Sequence, residues 1–396
     1  MHITVSRDEF ADASGWIARN LETRPTHPVA GAICLDATHT GEQDVLRASG
    51  FTPDTSTRAD IPATLNQSGR AMVSGTLLAA VAKMLPDKPV ELTTDGSMLH
   101  IRCGSSQSSL PLMDADIFPA LPDMPELIGE LPTHELVTGL SHVAGAAGTD
   151  DALPVFTGIC VEITDGPLRL IASDRYRLAM RELPWQPAIT TATGGDAVRL
   201  LVPGRALQEL VKGMTGSDTI RIGATADGTV FGLNTGIRQA TTRLIDGQFP
   251  DCRKLIPDTA NGTVDVAVTP LIEAVKRVSV LADRERDAVQ FEFTDTGHLD
   301  IRTGDTAHGG GRESVPIKLT GTPLAITLMA HRALGALTAI STPIAHIELT
   351  EPHKAMVVRE RHDTPTAPTT GQAAAHRHVQ LVMPLRPPDQ PGTNAA

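Results

Sequence analysis

The feature that most restricts how this chain can fold is that it repeats itself. Pro28-Val29-Ala30-Gly31-Ala32-Ile33-Cys34-Leu35 lines up with Pro154-Val155-Phe156-Thr157-Gly158-Ile159-Cys160-Val161. Val73-Ser74-Gly75-Thr76-Leu77-Leu78, leading to Lys83, lines up with Val202-Pro203-Gly204-Arg205-Ala206-Leu207, leading to Lys212. Phe118-Pro119-Ala120-Leu121-Pro122 resembles the stretch from Phe249-Pro250 to Pro257, and Arg205-Ala206-Leu207 is echoed by Arg332-Ala333-Leu334. The copies lie about 130 residues apart, a comfortable size for one domain, so the 396-residue chain reads as three similar units. Pro-rich segments near Pro122-Asp123-Met124-Pro125 and Ile256-Pro257-Asp258 place the expected domains at 1–125, 126–258 and 259–386, with 387–396 as a disordered tail.

Each unit has the same internal order. Phe10, Ala13, Ile17 and Leu21 recur at helical spacing and predict a helix over Asp8–Leu21; strands and a second helix, Thr76–Met84, follow. The later units repeat this with Thr133–Ala146 and Gly204–Met214, then Thr269–Ala282 and His331–Ile340. The expected fold class is therefore α+β, three tandem repeats of two helices on antiparallel sheet. Gly309-Gly310-Gly311 interrupts a strand connection of unit three, and Thr364–Arg377, rich in Thr, Ala, Gly and His, reads as a mobile loop.

One stretch is distinctive. Leu153–Val161 is apolar, Asp165-Gly166 is a turn, and a second run closes on Ala172-Ser173-Asp174-Arg175-Tyr176-Arg177-Leu178-Ala179. The pattern predicts a β-hairpin ending in a charged, aromatic corner. If the segments converge, the corner has an apolar floor of Phe156, Leu178, Pro250, Leu255, Val382, Met383, Pro384 and Leu385, rimmed by Arg175, Tyr176, Arg177, Lys254 and Arg386. Such a groove suits a short extended peptide with hydrophobic anchors and an acidic residue.

Other chemistries fail on inspection. Gly139-Leu140-Ser141-His142-Val143 lacks the last glycine of a nucleophile elbow and sits in a helical pattern. Thr138 occupies the second ligand position that His134-Glu135 would need for a zinc helix, which leaves a helix start capped by Thr133. His376 and His378 fall in the flexible segment, and the glycine run has no Lys-Ser/Thr after it. No active site and no cofactor are expected. Cys34, Cys103, Cys160 and Cys252 form no C-x-x-C pair and read as reduced core residues of a cytoplasmic protein. No long apolar run calls for a membrane. The net charge of -12 argues against gripping nucleic acid with the whole surface, and 3% aromatic content argues against base-stacking platforms.

The ordered motifs Leu153-Pro154-Val155-Phe156-Thr157-Gly158-Ile159, Ala172–Ala179, Asp246-Gly247-Gln248-Phe249-Pro250-Asp251 and Val382-Met383-Pro384-Leu385-Arg386 resemble the bacterial DNA polymerase III β subunit, the sliding-clamp family, from Met1 to Arg386. The resemblance implies a head-to-tail homodimeric ring of clamp domains, helices inside and sheets outside, threaded by double-stranded DNA. It implies that DNA polymerase III and clamp loader subunits hold the ring through short peptide motifs. The family's peptide pocket falls on Phe156, Thr157, Gly158, Ser173, Arg175, Tyr176, Arg177, Leu178, Pro250, Lys254, Leu255, Val382, Met383, Pro384, Leu385 and Arg386. Its DNA-contacting arginine falls on Arg24. The candidate inner helices carry Arg7, Arg19, Lys83, Arg205, Lys212, Lys276, Arg277 and Arg332, a lining compatible with sliding.

The chain departs from the family pattern at Thr327–Leu334, where aromatics are usual, and at Ser105–Ser109, where a basic-aromatic pair is usual near the ring interface. It also carries acid at Thr149-Asp150-Asp151 and runs ten residues past Arg386. Two functions follow: a replicative sliding clamp, or a divergent extra clamp that sustains replication when a peptide antibiotic blocks the pocket of the ordinary one.

Overall fold

The computed structural model describes residues 1–40, 43–164, 166–188, 197–214, 216–282, 287–304, 309–361 and 378–385. The expected loop over 364–377, with His376, and the tail from Arg386 onward lie outside the described residues. Six longer helices form where the apolar spacing predicts them: α1 (Arg7–Arg19), α2 (Gly75–Met84), α3 (Thr133–Val143), α4 (Gly204–Lys212), α5 (Val268–Ser279) and α6 (Ala330–Thr338). In α1, Phe10, Ala13, Trp16 and Ile17 are buried on one stripe, while Asp8 and Glu9 occupy the first turn and Arg19 the last, each with the sign that favours that helix end. The expected cap on α3 does not form. Thr133 is already helical, and its buried Oγ1 has no hydrogen-bond partner; its N–H is used instead, donating to the Asp218 carbonyl at 2.9 Å.

The contacts divide the chain into two compact units. The first comprises residues 1–137, 185–195 and 202–246, and the second residues 138–184, 196–201 and 247–396. Each is built on one antiparallel sheet, of 13 and 12 strands respectively.

Within each unit the sheet runs from one repeat into the next. In the first, Arg238–Thr242 pairs with Thr55–Ala59 of the long strand Thr55–Gln67. In the second, His378–Val382 pairs with Arg177–Arg181 of strand Arg177–Leu183. The helices meet at corresponding places. The Trp16 indole N–H on α1 donates to the Leu210 carbonyl on α4 at 3.0 Å, and His142 Nε2 on α3 lies 2.8 Å from Ser341 Oγ, just after α6.

Among the described residues the same logic leaves four pieces without counterparts. They are the last strand of repeat one, Ser106–Pro111; the corresponding long strand of repeat three, Arg312–Gly321; and the helices α2 and α5. Large apolar side chains are exposed there: Leu77 at 51% and Met84 at 82% on α2, and Val280 at 80% just past α5.

The four cysteines are free and buried, as their apolar surroundings predict. Among the described residues no helix is long and apolar enough to cross a membrane.

Candidate peptide-binding site

The stretch that stood out in the sequence is not a plain hairpin. Pro154–Thr157 forms a single helical turn, with proline at its start where a missing N–H costs nothing, and the strand begins only at Gly158. The apolar run therefore reads as a strand although its first part turns. That turn places Phe156 edge-on to Phe249, with ring centroids 6.4 Å apart. The chain reaches Phe249 through Gly247, whose φ of 144° and whose approach to Val155 leave no room for a side chain: a Cβ there would lie 2.7 Å from Val155 Cγ2.

Between strands Leu168–Ser173 and Arg177–Leu183 the chain reverses over three residues, Asp174 to Tyr176, held by neighbouring polar side chains. Asp174 Oδ1 accepts the N–H groups of Tyr176 (2.9 Å) and Arg177 (2.7 Å), and its Oδ2 pairs with Arg177 Nε at 3.0 Å. Ser173 Oγ donates to the Arg177 carbonyl and accepts the Arg175 N–H. This scaffold holds Arg175 at φ 76°, a left-handed conformation unusual for a side-chain-bearing residue, and pushes Arg175 and Tyr176 outward.

The late segment docks onto this turn. The Met383 N–H donates to the Tyr176 carbonyl and the Leu385 N–H to the Thr327 carbonyl, both at 2.8 Å. Met383, Pro384 and Leu385 stay half-buried, whereas Ser173, Leu178 and Val382 are buried beneath them. The short turn Cys252–Leu255 carries Lys254 and Leu255, with Leu255 50% exposed. Its anchor is Glu162, a fully buried carboxylate held by Arg169 (3.0 Å), Arg199 (2.9 Å) and Arg253 (3.3 Å). Burial alone would raise the Glu162 pKa, but the three guanidiniums outweigh it and hold the group below its ordinary value. The Cys252 thiol, pushed up by burial, hydrogen-bonds Ser173 and ties this turn to the reversal.

The expected pocket residues from Phe156 to Leu385 thus belong to segments linked by direct contacts. Arg386 lies outside the described residues. Arg332, one of the candidate inner-helix cations, lies with its Cζ 4.0 Å over the centroid of the Tyr176 ring. Of the other expected DNA-facing cations, Lys212 pairs with Glu209 at 2.6 Å and Arg277 with Glu313 at 2.8 Å. Arg24, Lys83, Arg205 and Lys276 are exposed and have no acidic partner among the described residues.

Sequence reasoning also missed a buried polar cluster behind the strands that end at this site. His378 was expected in the flexible segment; instead it is buried on the strand His378–Val382, because Val379, Leu381 and Val382 draw that strand into the core. Its ring stacks on His142 at 4.4 Å, beside Glu360 and Arg181. Gln380 Nε2 donates to the His142 carbonyl (2.7 Å) and lies 2.8 Å from His378 Nε2. His378 Nδ1 lies 3.4 Å from Glu360, and neither it nor His142 Nδ1 has a hydrogen-bond partner among the described residues; with Glu360 they bring three possible metal-ligand atoms within 4.8 Å of one another. Burial, then the charges of His378 and Arg181, lower the His142 pKa to about 4. Glu360 is opposed by burial but held at about 2, chiefly by the His378 imidazole 3.4 Å away.

Comparison with known proteins supplies the context for this geometry. The family models for the N-terminal, central and C-terminal domains of the DNA polymerase III beta subunit match residues 1–122, 130–251 and 253–370. The beta sliding clamp of Streptomyces coelicolor is 34% identical over 389 residues, covering 98% of this chain and 99% of its own. The beta sliding clamp homolog GriR of Streptomyces muensis is 33% identical over 387 residues, with the same coverage of 98% and 99%. The crystal structure of the Pseudomonas aeruginosa DnaN sliding clamp bound to griselimycin superposes with a TM-score of 0.85 at 23% identity, over 98% of this chain and 99% of that one. With all three domain models in order along a continuously related chain, the protein belongs to the DNA polymerase III beta subunit family, the beta sliding clamps.

Proposed function

We propose that two copies of this chain close head-to-tail around duplex DNA and act without catalysis as the tether of replicative DNA polymerase III, which they hold at the site around Tyr176. The observation that carries the reading is the set of unmatched elements. Each junction between repeats within a unit joins a last strand to the long strand of the repeat before it; among the described residues Ser106–Pro111 and the Arg312–Pro316 part of Arg312–Gly321 lack such a partner. A second copy supplies both, pairing Ser106–Pro111 of one chain beside Arg312–Pro316 of the other and covering Leu77, Met84 and Val280. The Ser106-Gln107-Ser108-Ser109 edge brings backbone hydrogen bonds but little apolar area, which makes closure depend on the helices.

In this reading the repeats are domains at 1–125, 126–258 and 259–386, and the protein works in the cytoplasm. Arg24, Lys83, Arg205 and Lys276, with Lys212 and Arg277 in reserve, give the DNA a weakly attractive surface; a few such cations add affinity without fixing register. The test is topological. The protein, loaded by the clamp loader onto nicked circular DNA, is expected to stay bound through gel filtration and to be lost once the circle is cut; retention on both forms would mean ordinary electrostatic binding and overturn the proposal.

The pocket makes its own prediction. Replacing Met383 and Leu385 together with alanine should weaken a polymerase-derived peptide by about 2–3 kcal/mol, the loss typical of buried apolar anchors, read by fluorescence polarisation. Unchanged affinity would place the pocket elsewhere.

A second reading draws on the 33% identity to a clamp homolog and on the rim occupied by Arg332. The chain would then be an additional clamp that keeps replication running when a peptide antibiotic fills the pocket of the ordinary one. Processivity measured with griselimycin present decides between them, since equal inhibition of this protein and an ordinary clamp would remove the second reading.

A further inference from the structure

We propose that the first unit carries a second peptide cleft, one repeat before the site around Tyr176, which takes an extended segment of a partner protein in which a large apolar side chain stands next to a lysine or arginine. The cleft encloses about 540 Å³ and is walled by Leu21, Pro53, Pro203, Leu244 and Ile245.

The two places correspond bond by bond. Thr55 pairs with Thr242 as Arg177 pairs with Val382. The next residue of each late strand bonds back to the tip of the turn: the Arg243 N–H donates to the Asp54 carbonyl at 2.9 Å, and the Met383 N–H to the Tyr176 carbonyl at 2.8 Å. The turns close alike, through the Thr52 N–H to the Thr55 carbonyl (2.8 Å) and the Asp174 N–H to the Arg177 carbonyl (3.3 Å). After the first helix of each repeat, the Glu22 N–H donates to the Ala30 carbonyl at 3.0 Å and the Gly148 N–H to that of Phe156 at 2.8 Å. Arg205, the counterpart of Arg332 in the repeat, lines the cleft as well.

The side chains on this shared frame differ, and the difference selects the ligand. Phe156 and Tyr176 are replaced by Ala30 and Asp54, so the first unit has a ring at neither position and leaves the apolar walls for a partner's side chain to cover. Gly148 and Tyr176 give way to Glu22 and Asp54, two carboxylates without an ion pair among the described residues, and Arg243 takes the place of Met383. Arg205 and Arg243 are exposed and have no acidic partner among the described residues either. A rim with two charges of each sign opposes a polyanion such as DNA, whose phosphates the carboxylates repel, and suits a peptide, which brings either sign. The carboxylates stand where the second unit has none, so a cationic residue is what distinguishes a ligand of this cleft from a ligand of the other.

The test uses the full chain carrying Met383→Ala and Leu385→Ala, which disables the other site, and a phage library of random nonapeptides. Retained sequences are expected to share a Leu, Phe or Trp beside a Lys or Arg. A fluorescein-labelled peptide of that consensus should bind the wild type and the double variant equally, and bind Asp54→Lys about tenfold more weakly. Its affinity for Asp54→Lys should return once its basic residue is changed to Glu, a reversal that a disturbed fold would not give. Retention of no peptide, a consensus without a basic residue, or unchanged binding to Asp54→Lys overturns the inference. A short DNA duplex that displaces the peptide would make the cleft a DNA contact and overturn it as well. A polymerase-derived peptide measured on the wild type in the same assay reads the Tyr176 site separately, so the failure of one site is told apart from the failure of the other.

Discussion

Replacing Trp16 with alanine is expected to destabilise the unit that contains it by about 4 kcal/mol, near the upper end for a large buried side chain. Trp16 is fully buried on α1, and Gly213 is packed so close that a Cβ there would lie 1.9 Å from the Trp16 ring. The Arg238 guanidinium lies 5.1 Å from the same ring and also bonds the Gly213 carbonyl and Asp12. Removing the indole empties the space where α1 meets α4, takes the donor from the Leu210 carbonyl, and strips Arg238 of its aromatic support. Trp16→Phe, which fills most of the space but loses the donor, should cost only about 1–2 kcal/mol. Equilibrium unfolding in urea measures both, and similar small losses in the two variants would show that the junction relaxes around the missing ring.

The second large effect is a loss of stability in mild acid. Since the pKa of His142 falls from an ordinary 6.5 to about 4 in the folded protein, the unfolded chain takes up a proton below pH 6.5 that the native chain refuses. The stabilisation is complete above pH 6.5 and declines as the pH falls towards 4, by up to about 3 kcal/mol at 1.36 kcal/mol per pH unit. Glu360, held at about 2, adds a further loss only below its ordinary value near 4.5 as the pH falls towards 2, so the window from 6.5 to 4.5 isolates the histidine. Urea midpoints at pH 7 and pH 5 should differ markedly for the wild type and much less for His142→Asn. Equal pH dependence in the two would mean that His142 does not resist protonation. Because the neighbouring strand continues from His378 to Val382 and on into Met383, the same experiment with bound peptide should show affinity falling over that window.

Much of this was legible from sequence because it depends on local pattern. Spacing located all six helices within a few residues, and the repeat implied that each would have a counterpart. The turn at the candidate site was legible because Asp174 and Ser173 organise it through neighbours two to four residues away. What was hidden depends on distant pairing. His142 looked like part of a failed nucleophile elbow, and His378 like part of a polar loop; nothing in either neighbourhood shows that the two rings stack. Arg332 follows a repeat motif shared with Arg205, and nothing near it in the chain shows that it lies over the Tyr176 ring. Leu153–Thr157 misled for the opposite reason: its apolar residues satisfy a strand pattern, while Pro154 starts a turn.

Because the sheet crosses each boundary between repeats, the segment that was duplicated is not the segment that folds. The middle repeat is divided: strand Arg238–Arg243 completes a sheet begun at the N-terminus, while Arg177–Leu183 is completed by His378–Val382, near the other end of the chain. A chain cut after residue 258 would end at a repeat boundary yet leave the edge at Arg177–Arg181 bare, open to any strand it meets. During synthesis that edge waits for more than a hundred further residues to emerge, so the candidate site around Tyr176, onto which the continuation of the missing strand docks, is among the last features of the molecule to form.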